Sequence, residues 1–226
     1  MLDYDAEADS YDETRGGLPR ARAAADAVRS LVPGGTLVDV ACGTGLVSRE
    51  LARSGLRVLG IDASHGMARM ASGRVLVAVG DSRRLPLPDA SVDAVSLIWL
   101  LHLVQDAAPI VAECARVLRP GGVLVTTVAK SASYADDLDP LLAPYREATD
   151  EAGLIAELAA AHGLRPSGEA AFTGHGQTRT PAKVVADLKA GRYSFTAGQS
   201  LLDALEALPD QDKPRPEPVY RLLAFS

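Results

Sequence analysis

Apolar residues in the first 130 positions fall into short, nearly continuous runs. These runs are TLVDVA (36–41), RVLGID (57–62), RVLVAVGD (74–81), VDAVSLIW (92–99) and GVLVTTVA (122–129). Continuous rather than alternating apolar residues are typical of strands buried on both faces of a parallel sheet. Helix-like segments separate the runs, so the pattern predicts right-handed crossovers and a doubly wound α/β fold.

Proline and glycine mark the ends of the intervening helices. A helix predicted to start near Pro19 stops at Pro33-Gly34-Gly35, and APIVAECARVLR stops at Pro120-Gly121-Gly122. After Lys130 the pattern predicts a polar segment, a helix, a strand within 164–173 and two more helices. The chain then ends in the strand-like VYRLLAF. We expect the late strands to extend the same sheet.

Composition narrows the class of protein. The 226 residues are 47% hydrophobic and 23% charged, which is typical of a soluble globular domain. The net charge of -6 and the scattered basic residues argue against a nucleic-acid partner. The acidic N-terminus lacks the features of a secretory signal, and VSLIWLLHLV is too short to span a bilayer. We therefore expect a cytoplasmic protein with no membrane partner.

Cysteine and histidine usage gives no metal site. The two cysteines, Cys42 and Cys114, lie far apart, and the four histidines are dispersed. Neither a disulfide framework nor a zinc-ligand spacing can be built from them. No metal is predicted.

The stretch LVDVACGTGLVSREL joins the first strand to a helix through a glycine turn. Gly43 and Gly45 allow a tight turn and the close approach of a ligand to bare backbone, next to the free N–H groups of a helix start. A dinucleotide-binding turn would have a third glycine where this chain has Ser48, and Asp39 would repel a pyrophosphate. A nicotinamide oxidoreductase is therefore disfavoured, and a ligand with a positive charge is favoured.

Three successive strands carry an aspartate at their carboxyl ends: Asp39, Asp62 and Asp81. Ligands of open parallel sheets bind outside these ends, and an acid after the second strand typically accepts hydrogen bonds from ribose. Each aspartate could also be a helix cap. Three at one edge are harder to explain in that way.

At this point the sequence resembles the class I S-adenosylmethionine-dependent methyltransferases, in particular the small-molecule group called type 11. The matching pieces are VDVACGTG, GIDAS, GDSRRLPLPDASVDAV and LRPGGVLV, in the order and spacing of the family. The family's usual first glycine is Ala41 here. The resemblance implies a Rossmann-like methyltransferase fold, a mostly parallel seven-stranded sheet with helices on both faces and an antiparallel last strand.

The resemblance also implies a cofactor, S-adenosylmethionine, and roles for individual residues. Asp39, Ala41, Gly43, Thr44 and Gly45 would surround its methionine part, with Asp62 and Ala63 at the ribose and Asp81 and Ser82 at the adenine. Met67 would pack on the adenine or, equally well, belong to the core. In YDETRG, Tyr11 and Arg15 would approach the methionine carboxylate, with an exposed helix face as the alternative.

On this basis the chain forms one methyltransferase domain. Its parts are an N-terminal helical cap (1–35), a cofactor-binding core (36–130), substrate-capping insertions (131–196) and a terminal helix and strand (197–226). His175 and Arg192 lie in the segments predicted to cap the substrate, 131–146 and 172–196.

The expected function is O- or N-methylation of a small organic acceptor. His102, after the fourth strand, is the best candidate for a base, although an isolated histidine in an apolar run is more often structural. Trp99 is a candidate wall of the pocket or a core residue. The alternative function is that of a homologue that binds the cofactor without methyl transfer, as a cyclase-like catalyst or a binding module. The acceptor and the oligomeric state stay open.

Overall fold

The computed structural model describes residues 4–130, 134–145, 149–193 and 195–226. Parts of the predicted capping segments, 131–133, 146 and 194, lie outside the described residues. The described chain forms one seven-stranded sheet in the order β3-β2-β1-β4-β5-β7-β6. Its strands are β1 (Thr36–Val40), β2 (Arg57–Asp62), β3 (Leu76–Val79), β4 (Val92–Leu97), β5 (Leu118–Val128), β6 (Pro166–Thr173) and β7 (Val219–Phe225).

The strand pairing confirms the predicted doubly wound fold. The first five strands pair in parallel, and β7 lies antiparallel between β5 and β6. From β1, the strands β2 and β3 are added toward one edge of the sheet, and β4 and β5 are added toward the other. The carboxyl ends of β1 and β4 therefore border the crevice where ligands bind in such sheets.

Ten α-helices connect and cover the sheet in the described part of the chain. They are α1 (Tyr4–Glu7), α2 (Tyr11–Thr14), α3 (Gly17–Leu31), α4 (Leu46–Arg53), α5 (His65–Ser72), α6 (Ala108–Val117), α7 (Asp139–Leu142), α8 (Ala152–Ala160), α9 (Pro181–Lys189) and α10 (Gln199–Glu206). Each helix predicted from the pattern is present, and the helix predicted to start near Pro19 begins earlier, at Gly17. None of the described helices is both long and apolar enough to cross a membrane.

Two apolar layers cover the two faces of the sheet. One joins buried residues of α6 and α8 to the strands, and the other joins α3 and α4 to the opposite face. A third, smaller cluster packs α7, α9 and α10 together around Leu138, Val184 and Leu205. The insertions after β5 thus have an apolar core of their own beside the sheet.

The fifth strand begins earlier than its sequence indicates. Leu118 already pairs with Val92 of β4, and the register shifts before Ala94 pairs with Val123. The Pro-Gly-Gly turn, with Gly121 at φ +78°, forms this irregularity. A turn signal therefore marks a bulge inside the strand as well as the end of α6.

Candidate active site

The turn after β1 contains three left-handed positions, Ala41, Gly43 and Gly45, with φ of +58°, +56° and +75°. A Cβ added to Gly43 would meet no atom within 4 Å, so this backbone is open on its outer side. A Cβ on Gly45 would lie 2.9 Å from the Cβ of Ala71 in α5. Gly43 therefore offers bare backbone to a ligand, whereas Gly45 is needed for the packing of α4 on α5.

Asp39 lies beneath this turn and is only 2% exposed. One carboxylate oxygen accepts the hydroxyl of Ser48, and the other accepts the hydroxyl of Ser96 at 2.7 Å. Burial raises the pKa of Asp39 to about 6, although both hydroxyls favour the ionised form. Both oxygens thus contact the protein itself, and its contact with the methionine part of a cofactor stays a prediction.

Asp62 joins the glycine turn to the turn after β2. Its carboxylate accepts the backbone N–H of Gly43 at 2.7 Å and that of Ser64 at 2.9 Å. The residue is 9% exposed, and burial raises the pKa of its carboxyl. Ala63 beside it is exposed. The structure therefore brings Asp62, Ala63 and the open face of Gly43 together at the carboxyl edge.

The residues predicted for the adenine are less closely grouped. Asp81 is exposed and binds Arg83 through both oxygens, with contacts from 2.7 to 3.2 Å that hold the pKa of its carboxyl below the usual value. Ser82 lies half-buried next to it. Met67 is 1% exposed in α5, which leaves it almost no surface for a ligand.

Two acidic residues fix the N-terminal helices over this edge. Asp5 accepts the hydroxyl of Ser64 and, at 2.6 Å, the N–H of Gly66 at the start of α5. Asp12 accepts the Thr44 hydroxyl at 2.6 Å and pairs with Arg74 at 2.7 Å. Thr44 of the predicted site is thereby buried under α2. The part of the predicted helical cap that contains α1 and α2, residues 4–16, is called the N-terminal cap below.

Tyr11 and Arg15 lie on this cap beside the crevice. The Arg15 guanidinium is 5.8 Å from the centre of the Tyr11 ring, and the rings of Tyr4 and Tyr11 are 6.4 Å apart. Arg15 and Asp62 both influence the pKa of Tyr4, which burial raises. Tyr11, Arg15 and Asp62 are therefore all near Tyr4, and contact of Tyr11 and Arg15 with the methionine carboxylate stays a prediction.

The strands bordering the crevice end in strained backbone. Three residues with a side chain adopt left-handed conformations within two residues of the ends of β1, β4 and β5: Ala41, Trp99 at φ +61° and Ala129 at φ +46°. Such positions cost about 1–3 kcal/mol each and cluster at functional sites. Two others, Ala90 and Asp210, lie elsewhere in the chain. The strain therefore marks the same edge as the aspartates.

Beyond Trp99 the chain forms a short 3-10 turn, Leu101–Leu103, that carries His102. The imidazole is half-buried, and its Nδ1 is buried without a hydrogen-bond partner among the described residues. Burial, together with the charges of Lys130 and Arg20, lowers the pKa of His102 to about 2. His102 is therefore neutral at physiological pH.

The predicted capping residues His175 and Arg192 have protein partners. His175 bonds Glu217 at 3.1 Å, and Arg192 pairs with Asp187 at 2.6 Å, both near the surface. A Cβ on Gly16 would overlap the carbonyl oxygen of His175 at 1.9 Å, so the N-terminal cap packs closely on this loop. The backbone of His175 thus contacts the N-terminal cap, and a role of this loop in covering the substrate stays a prediction.

Several residues at this edge escaped the sequence prediction. Asp5 and Asp12 anchor the N-terminal cap, and Arg20 and Lys130 place cationic groups beside Trp99 and His102. Their contacts are with residues distant in the chain. The one local signal was the position of Lys130 at the end of a predicted strand.

Comparison with known proteins agrees with this geometry. Residues 38–126 match the family model of the methyltransferase domain. A demethylmenaquinone methyltransferase of Parafrankia sp. is 36% identical over 149 residues, 54% of this chain and 59% of that protein. A malonyl-[acyl-carrier protein] O-methyltransferase of Serratia marcescens is 36% identical over 107 residues, 46% of this chain and 42% of that protein. The matched stretches thus span less than two thirds of the length of these relatives.

Solved structures share the fold over nearly the whole chain. The [4+2]-cyclase SpnF has a TM-score of 0.64 at 22% identity, covering 98% of this chain and 92% of that one. A phosphoethanolamine-type N-methyltransferase of Haemonchus contortus has a TM-score of 0.60 at 18% identity, covering 98% and 57%. With its sheet order, its glycine turn and its match to the methyltransferase-domain family over residues 38–126, the chain is similar to the class I S-adenosylmethionine-dependent methyltransferases.

Proposed function

We propose that this chain transfers the methyl group of S-adenosylmethionine to a small organic acceptor. The observation that carries the proposal is the position of the Asp62 carboxylate, bonded to the N–H of Gly43 at the mouth of the crevice. An anionic acceptor of hydrogen bonds thus lies directly beside open backbone. This is the combination that a nucleoside with a cationic centre needs.

The residues present fit this cofactor. Asp62 accepts two hydrogen bonds from the protein, and a carboxylate has about four acceptor sites, so capacity remains for ribose hydroxyls. Arg15 has no ion pair within the described ranges and lies on the cap above the crevice, where a carboxylate of the cofactor could bind it. Asp39 adds negative charge beneath the turn when ionised.

When bound, S-adenosylmethionine would supply a methyl group to a lone pair of the acceptor, with the bond from the methyl carbon to sulfur breaking and its electron pair staying on the sulfur of S-adenosylhomocysteine. The contribution of the chain is to align the acceptor and to exclude water. The N-terminal cap serves the second role, because Asp12 ties it to Thr44 and Arg74 across the turn.

We propose that His102 receives or positions the proton of the acceptor's nucleophilic group. In the free protein its pKa of about 2 makes it a weak base. The charges of Lys130 and Arg20 contribute to that low pKa. A bound anion that offsets these charges would raise the pKa and make His102 a better proton acceptor.

Calorimetry with S-adenosylhomocysteine tests the cofactor site. Asp62→Ala is expected to weaken binding by about 2 kcal/mol or more, roughly thirtyfold, since a hydrogen-bonded charged acceptor is lost. Asp93→Ala is the matched control, because Asp93 is a strand-end carboxylate at the opposite edge, bonded to the Thr36 N–H at 2.7 Å. Its affinity should match the wild type.

Two results would contradict the proposal. If the wild type did not bind S-adenosylhomocysteine at millimolar concentration, S-adenosylmethionine would not be its cofactor. If Asp62→Ala bound it as tightly as the wild type, Asp62 would not be part of the site. Formation of S-adenosylhomocysteine from S-adenosylmethionine in a screen of phenols, amines and acids then separates methyl transfer from binding alone.

A further inference from the structure

Arg20 and Lys130 form a cationic patch beside Trp99 at the carboxyl ends of β4 and β5. Arg20 is 6% exposed, and its Nη1 donates a hydrogen bond to the carbonyl of Arg15 at 3.0 Å. Lys130 is half-buried, and its backbone N–H donates to Asp150 at 2.8 Å. Neither side chain has an ion-pair partner in the part of the chain that the structure describes.

The charges of Arg20 and Arg15 both disfavour the protonated form of Lys130. Burial lowers the pKa of Arg20 and lowers that of Lys130 to about 8, with Arg20 the next contributor to the Lys130 shift. Asp150 acts in the opposite direction more weakly, and one of its oxygens is already bonded to the backbone. A charge removed from water without a partner destabilises the folded state. What this patch lacks is an anion.

Polar atoms around the patch are also without partners. Buried atoms with no hydrogen bond to any described residue include Nε of Arg20, Nε1 of Trp99, Nδ1 of His102 and the hydroxyl of Tyr220. Arg20 and Tyr134 lie beside that hydroxyl without good hydrogen-bond geometry. Orphaned buried polar atoms are rare in native proteins, and two of these can only donate.

These groups converge on one place. The Arg20 guanidinium lies 3.5 Å from the centre of the Trp99 ring and 5.6 Å from that of Tyr220, and the two rings are 5.6 Å apart, edge to face. Stacking on Trp99 stabilises the guanidinium by less than the desolvation of an unpaired buried charge costs. The cation–π contact alone therefore does not explain why Arg20 is buried here.

The patch is adjacent to the cofactor crevice and extends away from it. Arg15 lies between them: its guanidinium is above Tyr11 on the cofactor side, and its carbonyl holds Arg20. Lys130 follows β5, the second strand beyond the glycine turn in the order β1-β4-β5. A group bound at the patch would therefore lie on the acceptor side.

We propose that Arg20 and Lys130 bind a carboxylate of the methyl acceptor, so that the acceptor is a small organic acid whose apolar or aromatic body packs against Trp99 and Tyr220. The inference rests on the proposed function. The planar guanidinium and the Trp99 N–H both donate to oxygen, which suits a carboxylate. Arg15 is left for the carboxylate of the cofactor.

Ligands matched in shape test the charge requirement. Benzoate, benzamide and benzylamine are titrated into the protein with and without saturating S-adenosylhomocysteine, with binding followed by ligand-observed NMR. Benzoate is expected to bind at least about tenfold more tightly than the neutral and cationic analogues, since a charge-assisted hydrogen bond contributes that much. Equal binding of benzoate and benzamide would overturn the proposal.

The variant Lys130→Met distinguishes binding of the acceptor from binding of the cofactor. The matched control is Lys189→Met, which removes an exposed lysine paired with Glu206. Lys130→Met should lose the preference for benzoate, keep the affinity for S-adenosylhomocysteine within twofold, and unfold at a higher temperature because an unpaired charge is gone. Lys189→Met should bind as the wild type does.

The remaining outcomes also decide the matter. If Lys130→Met weakened S-adenosylhomocysteine binding as much as benzoate binding, the patch would hold the cofactor. A lowered melting temperature of this variant would show that Lys130 has a structural role. If inorganic phosphate displaced benzoate at a lower concentration than benzoate itself needs, the acceptor would be a phosphorylated molecule and not a carboxylic acid. Failure of the wild type to bind S-adenosylhomocysteine would refute the proposed function, while the benzoate titration without it would still test the patch.

Discussion

Replacing Asp39 by asparagine tests whether a charge is buried beneath the glycine turn. Asparagine keeps the shape of the side chain and can accept from one of the hydroxyls of Ser48 and Ser96 while donating to the other. Both hydrogen bonds seen in the structure can therefore survive the change. What the substitution removes is the ionisation.

The expected effect follows from the pKa of Asp39, about 6 in the folded protein, against about 3.9 in an unfolded chain. Because the folded state holds the proton more tightly, ionisation of the carboxyl lowers stability as pH rises through that window. The loss is complete above the folded pKa and amounts to about 2 pKa units, or about 3 kcal/mol. Asp39→Asn should therefore gain stability over the wild type as pH rises.

Urea unfolding of both proteins at about pH 4.5 and about pH 8 measures this difference. The advantage of Asp39→Asn should grow by about 2 kcal/mol between the two conditions, or about 4 °C in melting temperature for a chain of this size. Using the difference between the proteins cancels the other titrating groups, among them His102, whose lowered pKa acts in the opposite direction. An advantage that does not change with pH, or a loss that grows at high pH, would refute the reasoning.

Three further substitutions have defined outcomes. Ala41→Gly should be neutral or stabilising by up to about 1 kcal/mol, because glycine relieves the strain at φ +58°. Its control, Ala23→Gly within α3, should cost about 1 kcal/mol. Equal losses of unfolding free energy in urea would contradict this. Asp12→Ala should speed proteolysis of the N-terminal cap and weaken S-adenosylhomocysteine about fivefold, as expected for about 1 kcal/mol, while Glu13→Ala, an exposed neighbour, should do neither. Between about pH 7.5 and about pH 5 the wild type should lose about 2 kcal/mol of unfolding free energy that His102→Gln keeps, because the unfolded imidazole binds a proton that the folded one excludes. Parallel curves of unfolding free energy against pH for the two proteins would disprove the low pKa.

The strands and the glycine turn could be predicted because their signals are local. A strand buried on both faces needs a continuous apolar run, and β1, β2 and β4 lie within the predicted ranges. The predicted run 74–81 is a strand only over Leu76–Val79, since β3 is at the sheet edge and Leu76 is 74% exposed. At the edge the strand pairs on one side only, with β2, and little burial favours its extension.

The contacts of the site residues could not be read from the sequence, because they join distant parts of the chain. Asp39 bonds Ser96, 57 positions away, and Thr44 bonds Asp12, 32 positions away. A sequence motif gives the type of residue but not the partner that occupies it. For the same reason Arg20, in a helix that reads as ordinary, gave no signal of its place on Trp99.

Strain and unpaired charge at one edge imply that the free protein is less stable there than the fold alone allows. Trp99 and Ala129 hold left-handed backbone, and Arg20 and Lys130 hold buried charge without a counter-ion among the described residues. A ligand that binds only the folded state raises stability by an amount set by its concentration and affinity. An anion at the patch would do so by supplying the missing counter-charge, so the groups that weaken the free chain would be the source of the affinity. Stability and affinity should therefore change in opposite directions when Lys130 is replaced, and a residue with only a structural role would not behave in this way.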